Sequence, residues 1–310
     1  MRFNPKARLD TGRVRDSGRG GGGGGSMGLP IPGGKMAGGG AGAVIMLLLF
    51  LVLAMCGGID LGGGGGTGSG GAFDTSRMAE SDTNRYENCQ TGADAQSDPD
   101  CARVAVENSL YDYWSGALGG DFRPATMQTF TGSVSTACGA ATSQVGPFYC
   151  PADQVIYLDT SFFAQVLEGQ LGGPGGDFVE PYVIGHEYGH HIQNLLGTMG
   201  RVRTQQGPRS DAVRLELQAD CYAGLWTRSA TTTQDADGNV LISELTEQDI
   251  RQAIAAAAAV GDDRIQQKTQ GQVTEETWTH GSAESRVRWF RTGYESGSLK
   301  ACDTWAVDTP

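Results

Sequence analysis

Between residues 102 and 296 the apolar positions follow two periodicities. From Ala102 to Leu118, Val104, Ala105, Leu110, Tyr111 and Trp114 recur near helical spacing, so a helix is expected with its aromatic residues in the core. Residues 154–159, Gln-Val-Ile-Tyr-Leu-Asp, form a short run of branched and aromatic residues after a Cys-Pro turn and predict a strand. A short helix is expected from Phe162 to Leu167, and the Gly-rich stretch from Gly169 to Asp177 reads as a loop that permits motion. That loop lacks the Lys and Ser/Thr of a phosphate-binding loop.

Val179, Val183, His186 and His190 then fall at steps of four, three and four, so an apolar stripe runs into two histidines on one helical face. Pro181 suits the first turn of that helix, Asp177 and Glu180 put carboxylates near its positive end, and Gly197 offers a stop. The start falls at Asp177 or at Glu180. A second helix, capped by Ser210 or Asp211, runs to about Trp226 with Ala212, Leu215, Ala219, Tyr222 and Ala223 on its stripe. A third covers about Glu247 to Val260, where Ala255–Ala259 allow close packing, and another begins near Ser282. Asp235, Asp237, Gly238 and Glu244 match an EF-hand loop only in part, because Thr233 and Leu241 occupy ligand positions; an Asp-Gly turn explains them better. Gly261-Asp262-Asp263 reads as a solvated helix terminus, with an ion site or a tuning role as the other reading.

Composition divides the chain. Glycine runs at 20–25, 38–40 and 62–71 bury too little apolar surface to offset their conformational entropy. Residues 1–40 are basic and read as a disordered cytoplasmic arm. Residues 41–59, centred on the uncharged run 43–56, read as one transmembrane anchor, 60–72 as a linker, and 73–310 as the folding domain. A cleavable signal sequence is the alternative, although Met55 stands where a small residue should precede a cleavage site. The Lys and Arg excess on the N-terminal flank predicts a bacterial membrane protein with its N-terminus in the cytoplasm and its domain outside. A net charge of −12 with a pI near 4.7 argues against a nucleic-acid partner.

Six cysteines remain beyond Cys56, and an even count in an oxidising compartment predicts disulfides. Short loops favour Cys89 with Cys101 and Cys138 with Cys150, which leaves Cys221 with Cys302. A structural zinc site built from these cysteines is the competing idea, and the lack of any C-x-x-C pair weighs against it.

The chemistry concentrates at His186-Glu187-Tyr188-Gly189-His190-His191, which holds three of the four histidines. Two imidazoles four residues apart on a helix can grip one metal ion, and Glu187 between them is placed to take a proton from an activated water. The other reading is a pair of satisfied polar histidines on a half-buried face. Glu216 is the best third ligand, since it shares the apolar stripe of the second helix, where an unpaired carboxylate is costly. Asp220, four residues on, is placed to fix a ligand imidazole. An acidic face paired with Arg214 or solvent is the alternative. His191 points about 100° away from His190 around the helix, so it does not share the metal and has no assigned role.

The two motifs, H-E-x-x-H and Glu216-Leu217-Gln218-Ala219-Asp220, resemble the pattern of Glu-ligand zinc metallopeptidases, and more closely the bacterial family of neutral zinc metallopeptidases. The similarity extends to Phe148-Tyr149-Cys150-Pro151, Tyr157-Leu158-Asp159, Gly261-Asp262-Asp263-Arg264, Thr279-His280-Gly281-Ser282, Trp289-Phe290, Cys302-Asp303 and the segment Met1–Arg15. The resemblance implies an α+β, mainly helical zincin-like domain with a small sheet. It further implies Zn2+ held by His186, His190 and Glu216, Glu187 as general base, and peptide or protein substrates. His280 or Tyr157 could stabilise the oxyanion, although a structural His280 is equally compatible. Strand 154–159 could border the cleft and pair with substrate, or be an ordinary core strand. A non-catalytic envelope scaffold and a metal-dependent amidase acting on cell-wall bonds are the rival functions.

Overall fold

The computed structural model describes residues 1–19 and 83–310. The anchor and linker expected within 41–72 lie outside the described residues. Among the described residues no helix is long and apolar enough to cross a membrane.

The central sheet has four strands: β2 (Val14–Arg19), β3 (Thr126–Thr131), β6 (Phe148–Cys150) and β7 (Val155–Asp159). Their spatial order is β2-β3-β7-β6, with β2, β3 and β7 parallel and β6 antiparallel at the edge. Registers pair Val14 with Met127, Thr126 with Val155 and Phe148 with Tyr157. Strands β4 (Ser133–Thr136) and β5 (Gly139–Thr142) form a separate hairpin, and β1 (Arg2–Phe3) pairs with β8 (Ile242–Glu244). Alternation along the strands divides the core. Met127, Ile156 and Leu158 join the main core, while Phe130 and Tyr157 face a smaller cluster with Phe148, Val145 and Ala141.

Helix α1 (Gly92–Ser97) leads into α2 (Pro99–Leu118), which starts with Asp98 capping the amide of Asp100. Helices α3 (Val179–Leu195) and α4 (Asp211–Ser229) carry the two motifs. Helices α5 (Glu247–Ala259), α6 (Asp262–Gln270) and α7 (Ala283–Ser296) complete the domain, and a π-helical turn spans Phe163–Glu168. Trp114, Tyr182, Trp226 and Phe290 are fully buried between them. Helices α4 and α7 meet backbone to backbone: a Cβ on Gly293 would lie 1.9 Å from the carbonyl of Cys221, and one on Gly224 would lie 2.1 Å from that of Phe290. Three disulfides, Cys89–Cys101, Cys138–Cys150 and Cys221–Cys302, follow the expected pairing.

The expected N-terminal arm differs from the fold within the described residues. The basic arm is not disordered throughout, because residues 1–19 belong to the fold as β1 and β2. Phe3, Ala7 and Val14 are buried in the core, while Arg2, Lys6 and Arg8 stay exposed. Arg13 donates to the buried carboxylate of Glu107 at 2.9 Å and lies over the ring of Tyr111. The many basic residues made the segment read as solvated, but most of them lie on its outer side, and the buried positions are few and widely spaced.

Candidate metal centre

Helix α3 starts at Val179 after Phe178, later than Asp177, and Gly197 ends its final turn in the left-handed conformation at φ 72°. Ser210 caps α4 by accepting from the amide of Val213. The two helices cross where neither has bulk. A Cβ on Gly189 would lie 3.1 Å from both the Cα and the carbonyl oxygen of Ala219, so the second variable position of the H-E-x-x-H motif sits directly on the backbone of α4. That approach brings Glu216 up to the two histidines. Glu216 Oε2 lies 3.2 Å from His186 Nε2, and Oε1 lies 3.5 Å from His190 Nε2. One ligand atom from each residue falls within 4.8 Å of the others.

The outer nitrogens are held. His186 Nδ1 faces Asp220 Oδ1 at 2.9 Å, and His190 Nδ1 donates to Gln193 Oε1 at 2.8 Å. In each ring Nε2 is therefore the atom directed inward, as a metal-ligating imidazole requires. Gln193 is itself fixed, since its amide donates to the carbonyl of Leu215 and to Gln218. Asp220 is wholly buried and also accepts from Tyr182 at 2.5 Å and from Arg286 Nε at 2.8 Å. Without a metal, burial opposes protonation of His186, but Asp220 and then Glu216 outweigh it and push the imidazole up to about 10. Burial opposes ionisation of Asp220, which Arg286 and His186 nonetheless pull down to about 2. Glu216 lies well below the usual carboxylate range because His190 and His280 overcome its burial. A cation replacing the proton on His186 Nε2 would satisfy the same carboxylate, so two imidazoles and one anionic oxygen form a donor set that fits zinc.

Glu187 is also buried and lines the same cleft. Burial raises its pKa, with the two histidines acting in opposition. His280 lines the cleft as well. Asp262 Oδ2 accepts from the amides of Thr279, His280 and Gly281 at 2.8, 2.7 and 2.9 Å, and its Oδ1 lies 3.3 Å from His280 Nδ1. Thr279 Oγ1 is 2.8 Å from the same nitrogen, which leaves His280 Nε2 as the ring nitrogen available to the cleft. Burial lowers the pKa of His280, but Glu216 and Asp262 raise it overall. The cleft measures about 680 Å³, and Val183, Val260, Ile265, Leu171 and Met199 give it apolar walls.

The family comparison agrees with this geometry. Residues 2–305 match the family described as "Putative neutral zinc metallopeptidase". The chain belongs to the neutral zinc metallopeptidase family. An uncharacterized protein of Mycobacterium tuberculosis is 52% identical over 221 residues, covering 71% of this chain and 75% of its own, and a Mycobacterium bovis protein matches equally. The uncharacterized protein YpfJ of Escherichia coli is 40% identical over 194 residues, covering 61% of this chain and 64% of its own. No solved structure matches.

In this member of the family the structure brings His186, Glu187, His190, Glu216, Asp220 and His280 together. It removes Tyr157 as an oxyanion donor. Tyr157 donates to Asp153 at 2.9 Å and stacks on Phe148 in the smaller cluster, away from the metal centre. Strand β7 is internal to the sheet, so the strand bordering the cleft is β6, whose Phe148 and Tyr149 line it. Asp262 is not a solvated terminus, because its carboxylate is taken up by the loop carrying His280. Arg214 reaches the carbonyls of Thr304, Val307 and Asp308 and not Glu216. His191 is structural: Nε2 donates to the carbonyl of Arg123 at 2.6 Å and Nδ1 accepts from Tyr149, tying α3 to β6. Asp235 closes the 235–239 turn by accepting from the amides of Asp237 and Asn239. Gln193, Tyr182 and Arg286 were not anticipated. Gln193 carries a signal, three residues after His190 on the same helix, whereas Arg286 is 66 residues from Asp220 with nothing local to link them.

Proposed function

We propose that the protein is a zinc-dependent peptidase. The observation that carries this reading is the convergence of His186, His190 and Glu216 with Glu187 beside them in one apolar-walled cleft. When bound, zinc held by these three residues would lower the pKa of a coordinated water toward ~7 and polarise a substrate carbonyl. Glu187 takes the proton of the attacking water and passes it to the leaving amine, and its burial raises its pKa, which favours its acting as a base and then as an acid. His280, oriented by Asp262, directs Nε2–H at the developing oxyanion. Asp220 and Gln193 keep the ligand imidazoles in the tautomer that offers Nε2. An extended peptide can add to the free edge of β6, which suits substrates that are unfolded or locally extended.

A scaffold that only keeps a zinc fold has no need of Glu187 or of a carboxylate-held His280. Three disulfides suit an oxidising compartment outside the cytoplasm. The test is the full chain purified in detergent, assayed for bound metal and for cleavage of a mixed peptide library. Near-stoichiometric zinc with chelator-sensitive cleavage supports the reading, and a protein that takes up no zinc contradicts it.

A further inference from the structure

Thr83 lies beside the strand that ends at Arg19. The amide of Thr83 donates to the carbonyl of Asp16 at 3.1 Å, and its hydroxyl donates to Asp16 Oδ2 at 2.5 Å. Arg85, two residues on, lies 3.5 Å from Asp16 Oδ1. Asp16 in turn accepts from Thr129 of the neighbouring strand at 2.8 Å, so both flanks are fixed to the central sheet.

The segment before Arg19 is built into the domain by charges as well as by strands. Glu107 is 1% exposed, and its carboxylate is held by Arg13 together with Asn108. Asn108 also bridges the backbone of Asp10, accepting from its amide at 2.7 Å and donating to its carbonyl at 2.8 Å. The ammonium of Met1 lies 2.8 Å from Asp249, in the first turn of α5, and α5 supplies Ala256 to the wall of the catalytic cleft. Removing residues 1–19 would leave Glu107 and Asp249 buried without their cations and strip β3 of its neighbour.

Two flanks fixed to one folded unit lie on one side of a membrane. Only one charge-free apolar stretch of any length, residues 43–56, stands between them. We infer that residues 1–19 share a compartment with the metal centre. This reverses the orientation expected from the basic flank, which set the N-terminus and the domain on opposite sides. It equally excludes a signal sequence removed after residue 56, because the mature protein needs Arg13 and Asp16.

The first test uses the full chain in intact producing cells, with Cys56→Ser as background and single reporters Lys6→Cys and Glu295→Cys, both at exposed positions. A membrane-impermeant maleimide is expected to label the two reporters equally before lysis. Labelling of position 295 with position 6 protected until lysis overturns the inference. The second test uses purified full chain carrying Arg13→Met, Glu107→Gln or both. Arg13→Met alone is expected to lose yield or thermal midpoint, and adding Glu107→Gln to restore a substantial part of the loss. Strictly additive losses show that residue 13 does not seat on Glu107 and overturn the inference as well.

Discussion

Asp220 Oδ1 lies 2.9 Å from His186 Nδ1, and the same carboxylate is clamped from behind by Arg286. The His186 imidazole is thus oriented by a residue from α4, and that residue by one from α7. Asp220→Asn keeps the shape but weakens the hold on His186, so zinc affinity should fall about 10–100-fold, read by competition with a chromogenic chelator. Asp220→Ala leaves Arg286 buried and unpaired, and should destabilise the fold by about 3–5 kcal/mol in denaturant titration.

The approach of α3 to α4 is a second point of leverage. At Gly189 a methyl group would meet the backbone of Ala219 at 3.1 Å, tight enough to push the helices apart by tenths of an ångström. Gly189→Ala should weaken zinc binding while costing about 1–3 kcal/mol. At Gly293 the corresponding contact with the Cys221 carbonyl is 1.9 Å, so Gly293→Ala should lower the thermal midpoint far more.

Helical periodicity and capping residues anticipated α2, α3, α4, α5 and α7, because each carries a continuous stripe or a cap of its own, such as Ser210 and Ser282. The proximity of the candidate site residues was legible for the same reason: His186 and His190, and Glu216 and Asp220, are pairs four apart on those stripes. The environment of the site was not legible. Arg286 and Asp262 act on residues many positions away, and no local pattern marks a carboxylate that will be met by three amides of another loop. Strand β2 was missed because its neighbour β3 lies more than a hundred residues on, and its basic flanks resemble a solvated arm. The cysteines were legible in full, since two short loops left one remaining pair.

The disulfide Cys221–Cys302 closes a loop of sequence separation 81 and ties the C-terminal segment to the helix bearing Glu216 and Asp220. Replacing both cysteines by Ala should cost about 4–5 kcal/mol on the chain-entropy account. Because Gln218 also donates to the carbonyl of Cys302, the double variant should show weakened zinc retention on heating.

Asp262 gives the acid limb of stability a defined contributor. Burial opposes its ionisation, but the hydrogen bond and charge of His280, with the amides of Thr279 and His280, hold it below the usual carboxylate range. A depressed carboxylate stabilises the fold fully above its unfolded value of about 3.9, and that contribution disappears as the pH falls through the lower folded value. The thermal midpoint should therefore drop below about pH 4, and Asp262→Asn should flatten part of that drop. At neutral pH the same variant should lower kcat more than it raises KM, because it releases His280.

The central claim is that Glu187 performs proton transfer beside a zinc held by His186, His190 and Glu216. The most direct measurement is turnover of a cleaved peptide by Glu187→Gln with its zinc content determined on the same sample. The expected result is near-stoichiometric zinc with turnover reduced by at least about 10²–10⁴. Zinc-loaded Glu187→Gln cleaving the peptide at the wild-type rate would contradict the account.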